Sequence, residues 1–312
     1  MKSSEEEKRK RRKVWKKDRK FFLLCIPAIL FFLIFAYLPM PGIYVAFVRF
    51  DYGKGIFGSQ FIGLQNLKFI FMSGKLGILV RNTVLYNFAF IVSGMVMQVL
   101  IAVLFNELGS KIFRKYAQSF MILPNFISYV LVGLFGFAMF NSTNGVLNMI
   151  LAKLGADPVH VYSEAAAWPF ILVIISIWKG AGYGSIVYFA ALMGLDGEML
   201  EAAMVDGAST IQRIRYIILP CLRPTVILLL LLSMGGILRG NFDLFYNMIG
   251  GSNVTLLDKT DILETFIFRA MVSNANFSTA AAVSFVQSVF GFILVLTTNT
   301  IVKKVEPDYA IF

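Results

Sequence analysis

Three side chains suited to ligand binding lie close together inside an apolar stretch of the sequence. Trp178, Lys179 and Tyr183 fall within residues 169–193, where Lys179 is the one charged residue. A charge that faces lipid costs at least about 2.5 to 3.5 kcal/mol, so we expect Lys179 to face protein or water. The two aromatic rings could stack on a bound molecule while the ammonium group donates hydrogen bonds to it. These residues are therefore candidates for a ligand path.

A second group of polar side chains follows a short apolar run. Residues 224–238 are strongly apolar, a glycine pair interrupts the run near its end, and Asn241 and Asp243 follow it. A short, glycine-interrupted span followed by polar residues can mark a binding site near the middle of a membrane. Gln287 places another amide in a later apolar segment. These three residues are the second set of candidates.

Each candidate group also has a structural interpretation. Gly180 and Gly184 form a GxxxG pair, which is typical of close contact between helices. Arg239 and Asp243 could form an ion pair at an ordinary helix end. Gln287 could donate a hydrogen bond to a neighbouring helix, as isolated amides in apolar segments commonly do.

Reactive side chains are too few to predict catalysis or metal binding. The chain has one histidine, His160, and two cysteines, Cys25 and Cys221, which do not form a CxxC pair. It has no nucleotide-binding Gly-x-x-x-x-Gly-Lys-Ser/Thr motif, because Gly74-Lys75 is followed by leucine. We therefore predict no catalytic residue, no metal ligand and no cofactor bound by this chain.

The composition indicates an integral membrane protein. The 312 residues are 58% hydrophobic and 15% charged, with a mean hydropathy of +0.73, which argues strongly against a soluble enzyme. Apolar stretches of about 20 residues cross a bilayer as helices, since a helix satisfies its own backbone hydrogen bonds. We predict an all-α fold with six spans, at about 21–47, 80–105, 117–140, 169–193, 224–247 and 279–302.

Basic residues predict the orientation. Eleven of the 29 Lys and Arg residues precede residue 21, so the net charge of +11 describes a tail beside anionic lipid, not a nucleic-acid surface. With the tail inside, the inner segments hold 19 of the 29 bases, the tail included, and the outer segments hold 9. The bias places both termini in the cytoplasm. We divide the chain into a basic tail (1–20), a six-span domain (21–302) and a cytoplasmic C-terminus (303–312).

The loop 194–222 is the least lipid-like interior segment, and its residues predict two short helices. Asp196 can cap the first helix, and Gly207 can close it in a left-handed conformation. Ser209 and Gln212 form a capping-box pattern for the second helix, and the proline eight residues further on is expected to end it.

The first of these helices carries small and flexible apolar side chains, at Met199, Leu200, Ala203, Met204 and Ala208. Such a face, bordered by acidic residues, suits the groove of a soluble partner. The alternative is a connector that lies on the lipid surface.

The same loop resembles a known motif. The spacing of Glu201-Ala202-Ala203, Gly207, Ile217 and Leu219-Pro220 is similar to the EAA motif of permease subunits of binding-protein-dependent ABC importers. Further similarities to sugar permeases, and to the subgroup that imports oligosaccharides and polysaccharide fragments, lie at residues 61–66, Asn82-Thr83, Leu123-Pro124, Cys25-Ile26-Pro27, residues 35–40, Gly250-Gly251, Arg269 and Ala280-Ala281-Ala282.

The resemblance implies a type I ABC importer permease fold in a bacterial cytoplasmic membrane. It implies a second homologous permease, two ATPase subunits that bind ATP and magnesium, an extracellular or periplasmic solute-binding protein, and a saccharide substrate. The coupling residues that it implies are Glu201, Ala202, Ala203, Met204, Asp206, Gly207, Ile217, Leu219 and Pro220. Trp178 or Tyr183 would then stack on a sugar ring, and Lys179 would bind its hydroxyls.

The sequence agrees less well with two other classes of protein. A stand-alone ion-coupled transporter or channel usually carries acidic residues within its spans, and Asp243 is the one plausible candidate. A membrane-embedded enzyme would need a His, Asp or Ser cluster, which we do not find in the sequence.

Overall fold

The computed structural model describes residues 21–195, 197–251 and 253–305, without the side chain of residue 305. The predicted basic tail, the capping residue Asp196 and residues 306–312 lie outside this description. Most elements are helices, and the one described sheet is a two-stranded antiparallel pair that joins Val48 to Phe61 and Arg49 to Gln60.

The first half of the described chain contains the elements α1 (Phe21–Phe47), β1 (Val48–Arg49), α2 (Gly55–Gly58), β2 (Gln60–Phe61), α3 (Gln65–Met72), α4 (Lys75–Glu107), α5 (Lys111–Ile122), α6 (Tyr129–Phe140), α7 (Val146–Lys153) and α8 (Trp168–Met193). The second half contains α9 (Gly197–Val205), α10 (Thr210–Arg213), α11 (Leu219–Met234), α12 (Phe242–Ile249), α13 (Leu257–Thr260), α14 (Leu263–Phe268) and α15 (Phe277–Val305). Short 3₁₀ segments lie at Leu123–Phe126, Val161–Ser163 and Val254–Leu256, and π segments at Leu33–Tyr37, Ile214–Ile218 and Arg269–Ser273.

Five of the described helices are long and apolar enough to cross a membrane. They are α1, α4, α8, the continuous helix Thr210–Met234 and α15. The bent pair α5 and α6 makes a sixth. The first, second, fourth and sixth predicted spans correspond to single helices of similar bounds.

The third predicted span, 117–140, is not one helix. The helical segments Lys111–Phe126 and Tyr129–Phe140 meet at an angle of 87°. Pro124 lies in the 3₁₀ turn before the break, and Ser128 caps α6 through a hydrogen bond from the Leu131 N–H to its Oγ at 3.4 Å. A break leaves the last carbonyls of the first segment without helical partners.

Lys179 of α8 supplies those partners. Its ammonium donates hydrogen bonds to the carbonyl oxygens of Pro124 at 3.3 Å, Asn125 at 2.9 Å and Ile127. It also lies 4.7 Å from the ring centroid of Tyr129. Only 6% of Lys179 is exposed. Lys179 was expected to face protein or water, and the structure shows that its ammonium group binds protein carbonyls at the break.

The fifth predicted span, 224–247, has the wrong bounds. The helix begins at Thr210, passes through Pro220 and Pro224, and ends at Met234. Pro220 therefore does not end the second loop helix. The π segment that precedes it is the kind of local adjustment that accommodates a proline in a membrane helix.

Contacts between α8 and its neighbours depend on glycine, although only one member of the predicted pair, Gly184, takes part. A Cβ atom at Gly182 would lie 1.8 Å from the Met121 carbonyl oxygen, and one at Gly184 would lie 2.3 Å from the Gln98 side chain. A Cβ atom at Gly180 would meet nothing within 4 Å. Small residues thus bring α8 against α4 and α5, through Gly182 and Gly184.

Replacement of Lys179 by methionine tests its role at the break. The variant leaves three carbonyls of half-buried residues without their donor. A fully buried acceptor that loses its partner costs about 1 to 3 kcal/mol, which is the upper bound for each carbonyl here. We expect a clear fall in the midpoint of thermal unfolding, measured on the purified protein in detergent. Lys68→Met, which alters an exposed lysine on α3, is the control. Equal midpoints for the two variants would contradict this role.

Candidate functional site

The loop 194–222 forms the short helix α9, a turn at a glycine and the first turns of the continuous helix Thr210–Met234. The predicted first helix and turn are confirmed, whereas the second helix is longer than predicted. Gly207 has a φ of +79°, a left-handed conformation that favours glycine. The Ala208 N–H donates to the Ala203 carbonyl at 2.9 Å and the Gly207 N–H to the Met204 carbonyl at 3.1 Å, which closes α9. The capping box is confirmed, with the Ser209 N–H bonded to the Gln212 Oε1 at 2.7 Å.

The α9–α10 surface, formed by α9, Gly207 and α10, is mostly exposed. No residue of α9 is buried, and the exposed fractions are 50% for Met204, 88% for Val205 and 76% for Ile211. Leu200 packs against the core, so part of the predicted apolar face turns inward. Glu201, Ala202, Asp206, Leu219 and Pro220 are exposed, whereas Ala203 and Ile217 are half-buried.

This surface is tied to α4 by an ion pair that sequence reasoning missed. Arg213 of α10 and Glu107 at the end of α4 approach to 3.0 Å, and both side chains are mostly buried. Arg114 of α5 donates to the Leu108 carbonyl, just beyond α4, at 2.8 Å. Glu107 and Arg213 are 106 residues apart, so no local sequence pattern could have paired them.

Between α11 and α12 the backbone leaves helical geometry, and side chains from α4 and α15 bind its carbonyls. The Asn87 amide donates to the Ile237 carbonyl at 2.8 Å and to the Arg239 carbonyl at 3.0 Å. The Gln287 amide donates to the Leu238 carbonyl at 2.7 Å. We call residues 235–241 the unwound segment.

The end of the unwound segment is held by α14 and α6. The Gly240 N–H donates to Glu264 Oε1 at 2.7 Å, and Gln287 donates to the same oxygen at 2.8 Å. The Asn241 amide donates to the Tyr129 hydroxyl at 2.8 Å, while the Asn241 Oδ1 caps α12 through the Leu244 N–H. Asn241 and Gln287 therefore position backbone and are not free to bind a ligand with these groups.

A cavity of about 870 Å³ lies beside the unwound segment. Its lining includes Gly236, Arg239, Glu264, Ser284, Gln287 and Ser288. Glu264 Oε2 is buried with no hydrogen-bond partner in the described chain, and a Cβ atom at Gly240 would approach it to 2.5 Å. The structure thus places small, hydroxyl, amide and charged groups around one open volume.

The other predicted ligand residues are not brought together. Lys179 points to the break between α5 and α6, whereas Trp178, 45% exposed, lines an apolar groove with Val132 and Phe135. Tyr183 is 58% exposed and lies outside that groove's lining. The structure therefore gives no support to a joint site at these three residues.

Asp243 is exposed on α12 and forms no ion pair with Arg239 in the described part of the chain. Two less exposed acids follow it. Asp261 is 8% exposed and forms an ion pair with Arg269, and Glu264 binds the unwound segment. Glu264 is not among the predicted site residues, because it lies between the fifth and sixth predicted spans. Its position in the apolar run Ile262–Ile267 was the available signal.

Comparisons with known proteins agree with this architecture. Residues 91–308 match the family described as binding-protein-dependent transport system inner membrane component. The chain belongs to this family of permeases. It is 33% identical over 293 residues to protein LplB of Bacillus subtilis, which covers 94% of this chain and 91% of that protein.

Two further similarities come from a second relative and from solved structures. The permease is 29% identical over 299 residues to the polygalacturonan/rhamnogalacturonan transport system permease protein YteP of Bacillus subtilis, covering 96% of this chain and 92% of that one. Its fold is similar to a chain in the crystal structure of a bacterial ABC transporter involved in the import of the acidic polysaccharide alginate, with a TM-score of 0.83, 31% identity and coverage of 93% and 97%. The predicted family and type I permease fold are confirmed.

Replacement of Gln287 by leucine tests whether this amide holds the unwound segment of the permease. The variant removes the donor to the Leu238 carbonyl and to Glu264, so two acceptors lose a partner at nearly constant side-chain volume. We expect a lower midpoint of thermal unfolding in detergent, by several degrees. Ser288→Ala, one residue along α15 and exposed, should change it little. An unchanged midpoint in Gln287→Leu would contradict this role of Gln287.

Proposed function

We propose that this permease is the membrane-spanning subunit of an ATP-driven importer and forms half of the translocation path for an oligosaccharide. The observation that carries the proposal is the α9–α10 surface. Met204, Val205 and Ile211 are exposed there, and no described part of the chain covers them. Exposed apolar groups bordered by acidic residues mark a docking surface for a partner.

The partner proposed for this surface is an ATPase subunit. Glu201 and Asp206 present carboxylates beside the apolar side chains, where a basic residue of the partner can pair with them. ATP and magnesium belong to the ATPase, because the permease sequence has no phosphate-binding loop. The permease makes no covalent chemistry in this proposal.

Two connections pass movement of the α9–α10 surface to the spans. α8 leads directly into α9, and the Arg213–Glu107 ion pair joins α10 to α4. α4 and α8 pack along much of their length. Closure of two ATPase subunits therefore acts on the α4–α8 pair, which contacts the unwound segment through Asn87. This is a direct route to alternating access in the permease.

A second permease subunit is proposed to complete the path. The most apolar part of α1 has 0% of its residues buried against the rest of the described chain. A helix that is apolar on all sides is normally covered by lipid or protein. We assign one side of α1 to membrane lipid and the other to the second permease.

A saccharide substrate and a binding protein are proposed from the relatives. YteP is named for polygalacturonan and rhamnogalacturonan transport. A similar solved structure, with a TM-score of 0.82, holds an alginate ABC transporter in complex with an alginate pentasaccharide-bound periplasmic protein. We place the saccharide path of this permease along the cavity at the unwound segment.

The proposed location is a bacterial cytoplasmic membrane with both termini in the cytoplasm. In this orientation the α9–α10 surface faces the cytoplasm, where ATP is available. The loops that carry α2, α7 and α13 then face outward, toward the solute-binding protein. The basic residues of 1–20 contact anionic lipid.

Purification from native membranes in mild detergent tests the proposal. Mass spectrometry of the purified sample should identify a second permease and an ATPase with a phosphate-binding loop. The complex should hydrolyse ATP faster when saccharide and binding protein are added. Recovery of the chain alone, with solute uptake into vesicles that needs no ATP, would instead support a stand-alone transporter.

Charge reversal at Glu201 tests the docking surface separately. Glu201→Lys should reduce the amount of ATPase that purifies with the permease by about tenfold or more, because like charges then meet at the interface. Asp157→Lys makes the same change at an exposed acid of the predicted outer side and should leave the ATPase bound. Equal recovery of ATPase with both variants would contradict the assignment of this surface.

A further inference from the structure

Arg239 is the charged side chain that the unwound segment carries. It is exposed, it lines the 870 Å³ cavity, and its guanidinium group has no hydrogen bond, ion pair or ring contact in the described part of the chain. The part of the chain between α11 and α15 contains one other arginine, Arg269, and this residue is paired with Asp261. Arg239 is therefore available to a group from outside the chain.

The backbone on both sides of Arg239 is fixed. Asn87 binds the carbonyls of Ile237 and Arg239, and Gln287 binds the carbonyl between them. The N–H of the next residue, Gly240, is bonded to Glu264. Four hydrogen bonds from three helices thus hold the backbone of a non-helical turn. The point from which the Arg239 side chain projects is therefore fixed, which is one part of the preorganisation that a binding site needs.

Arg239 and the serine hydroxyls of the lining favour an anionic, hydroxyl-bearing ligand. Guanidinium presents paired N–H donors that match a carboxylate, and such pairs are stronger than neutral hydrogen bonds. Glu264 does not compete for Arg239, because its Oε1 is bonded to Gly240 and Gln287 and its Oε2 is buried. Ser284 and Ser288 supply hydroxyl groups along α15. Glycines at 235, 236 and 291 leave room for a bulky ring.

We propose that Arg239 binds the carboxylate of a uronic acid unit in the transported saccharide. The proposal rests on the proposed function and names the class of substrate for the cavity. Arg239 acts as a specificity residue, since neutral saccharides lack the group that it recognises. Arginine to lysine is then not a conservative change, because lysine keeps the charge and loses the planar pair of donors.

The experiment uses the complete transporter with its binding protein, reconstituted in vesicles. The probes are trigalacturonate and its methyl ester, which share one skeleton and differ in charge. Uptake kinetics are measured for wild type, Arg239→Gln and Arg239→Lys. Lys259→Gln is the control, because it removes an exposed basic residue that also lies between α11 and α15.

With trigalacturonate, Arg239→Gln should raise the KM for uptake about tenfold or more, which corresponds to the loss of one charge-assisted hydrogen-bonded pair. Arg239→Lys should raise it less, and Lys259→Gln should leave it unchanged. The methyl ester should show the same KM in wild type and Arg239→Gln. Recovery of the second permease and the ATPase should be equal in all variants.

Four results would overturn the proposal. They are absence of trigalacturonate uptake by wild type, an unchanged KM in Arg239→Gln, an equal loss for both probes, and loss of the second permease or the ATPase from the Arg239→Gln complex. The last would assign Arg239 to a protein interface. If no ATPase purifies with the wild-type permease, the proposed function itself fails, so the two failures are distinguishable.

Discussion

The need to satisfy backbone hydrogen bonds inside an apolar environment governs the interior of this permease. Hydrocarbon offers no partner to an N–H or a carbonyl group, so every departure from helix requires one from the protein. The chain departs from helix at the break after α5 and at the unwound segment. Lys179 supplies donors at the first, and Asn87 and Gln287 supply them at the second.

These partners explain why isolated polar residues occur in otherwise apolar helices. Lys179 and Gln287 were candidate ligand contacts from their residue types, yet both bind backbone carbonyls instead. Their consequence for function is indirect, because they keep two helix breaks open without exposing unsatisfied groups. The cavity beside the unwound segment exists for this reason, and Arg239 projects into it from a fixed backbone.

α4 connects the two ends of the proposed transport mechanism. Asn87, near its middle, binds the unwound segment, and Glu107, at its end, binds Arg213 beside the α9–α10 surface. At 1.5 Å per residue the two contacts lie about 30 Å apart along one helix. In the proposed mechanism, α4 carries movement between these two contacts while it stays packed against α8.

The sequence by itself determined the properties that depend on local chain chemistry: the apolar spans, the left-handed turn at Gly207 and the capping box of α10. The length of an apolar run and the capping of a helix depend on residues that are close in the sequence, so both can be predicted from the sequence directly. Only the tertiary structure decided that the third span breaks, that the fifth ends at Met234, and that Glu107 meets Arg213. It also decided that Lys179, Asn241 and Gln287 bind protein groups. The partner of a polar side chain depends on which distant part of the chain lies beside it in the fold, and the sequence does not show this.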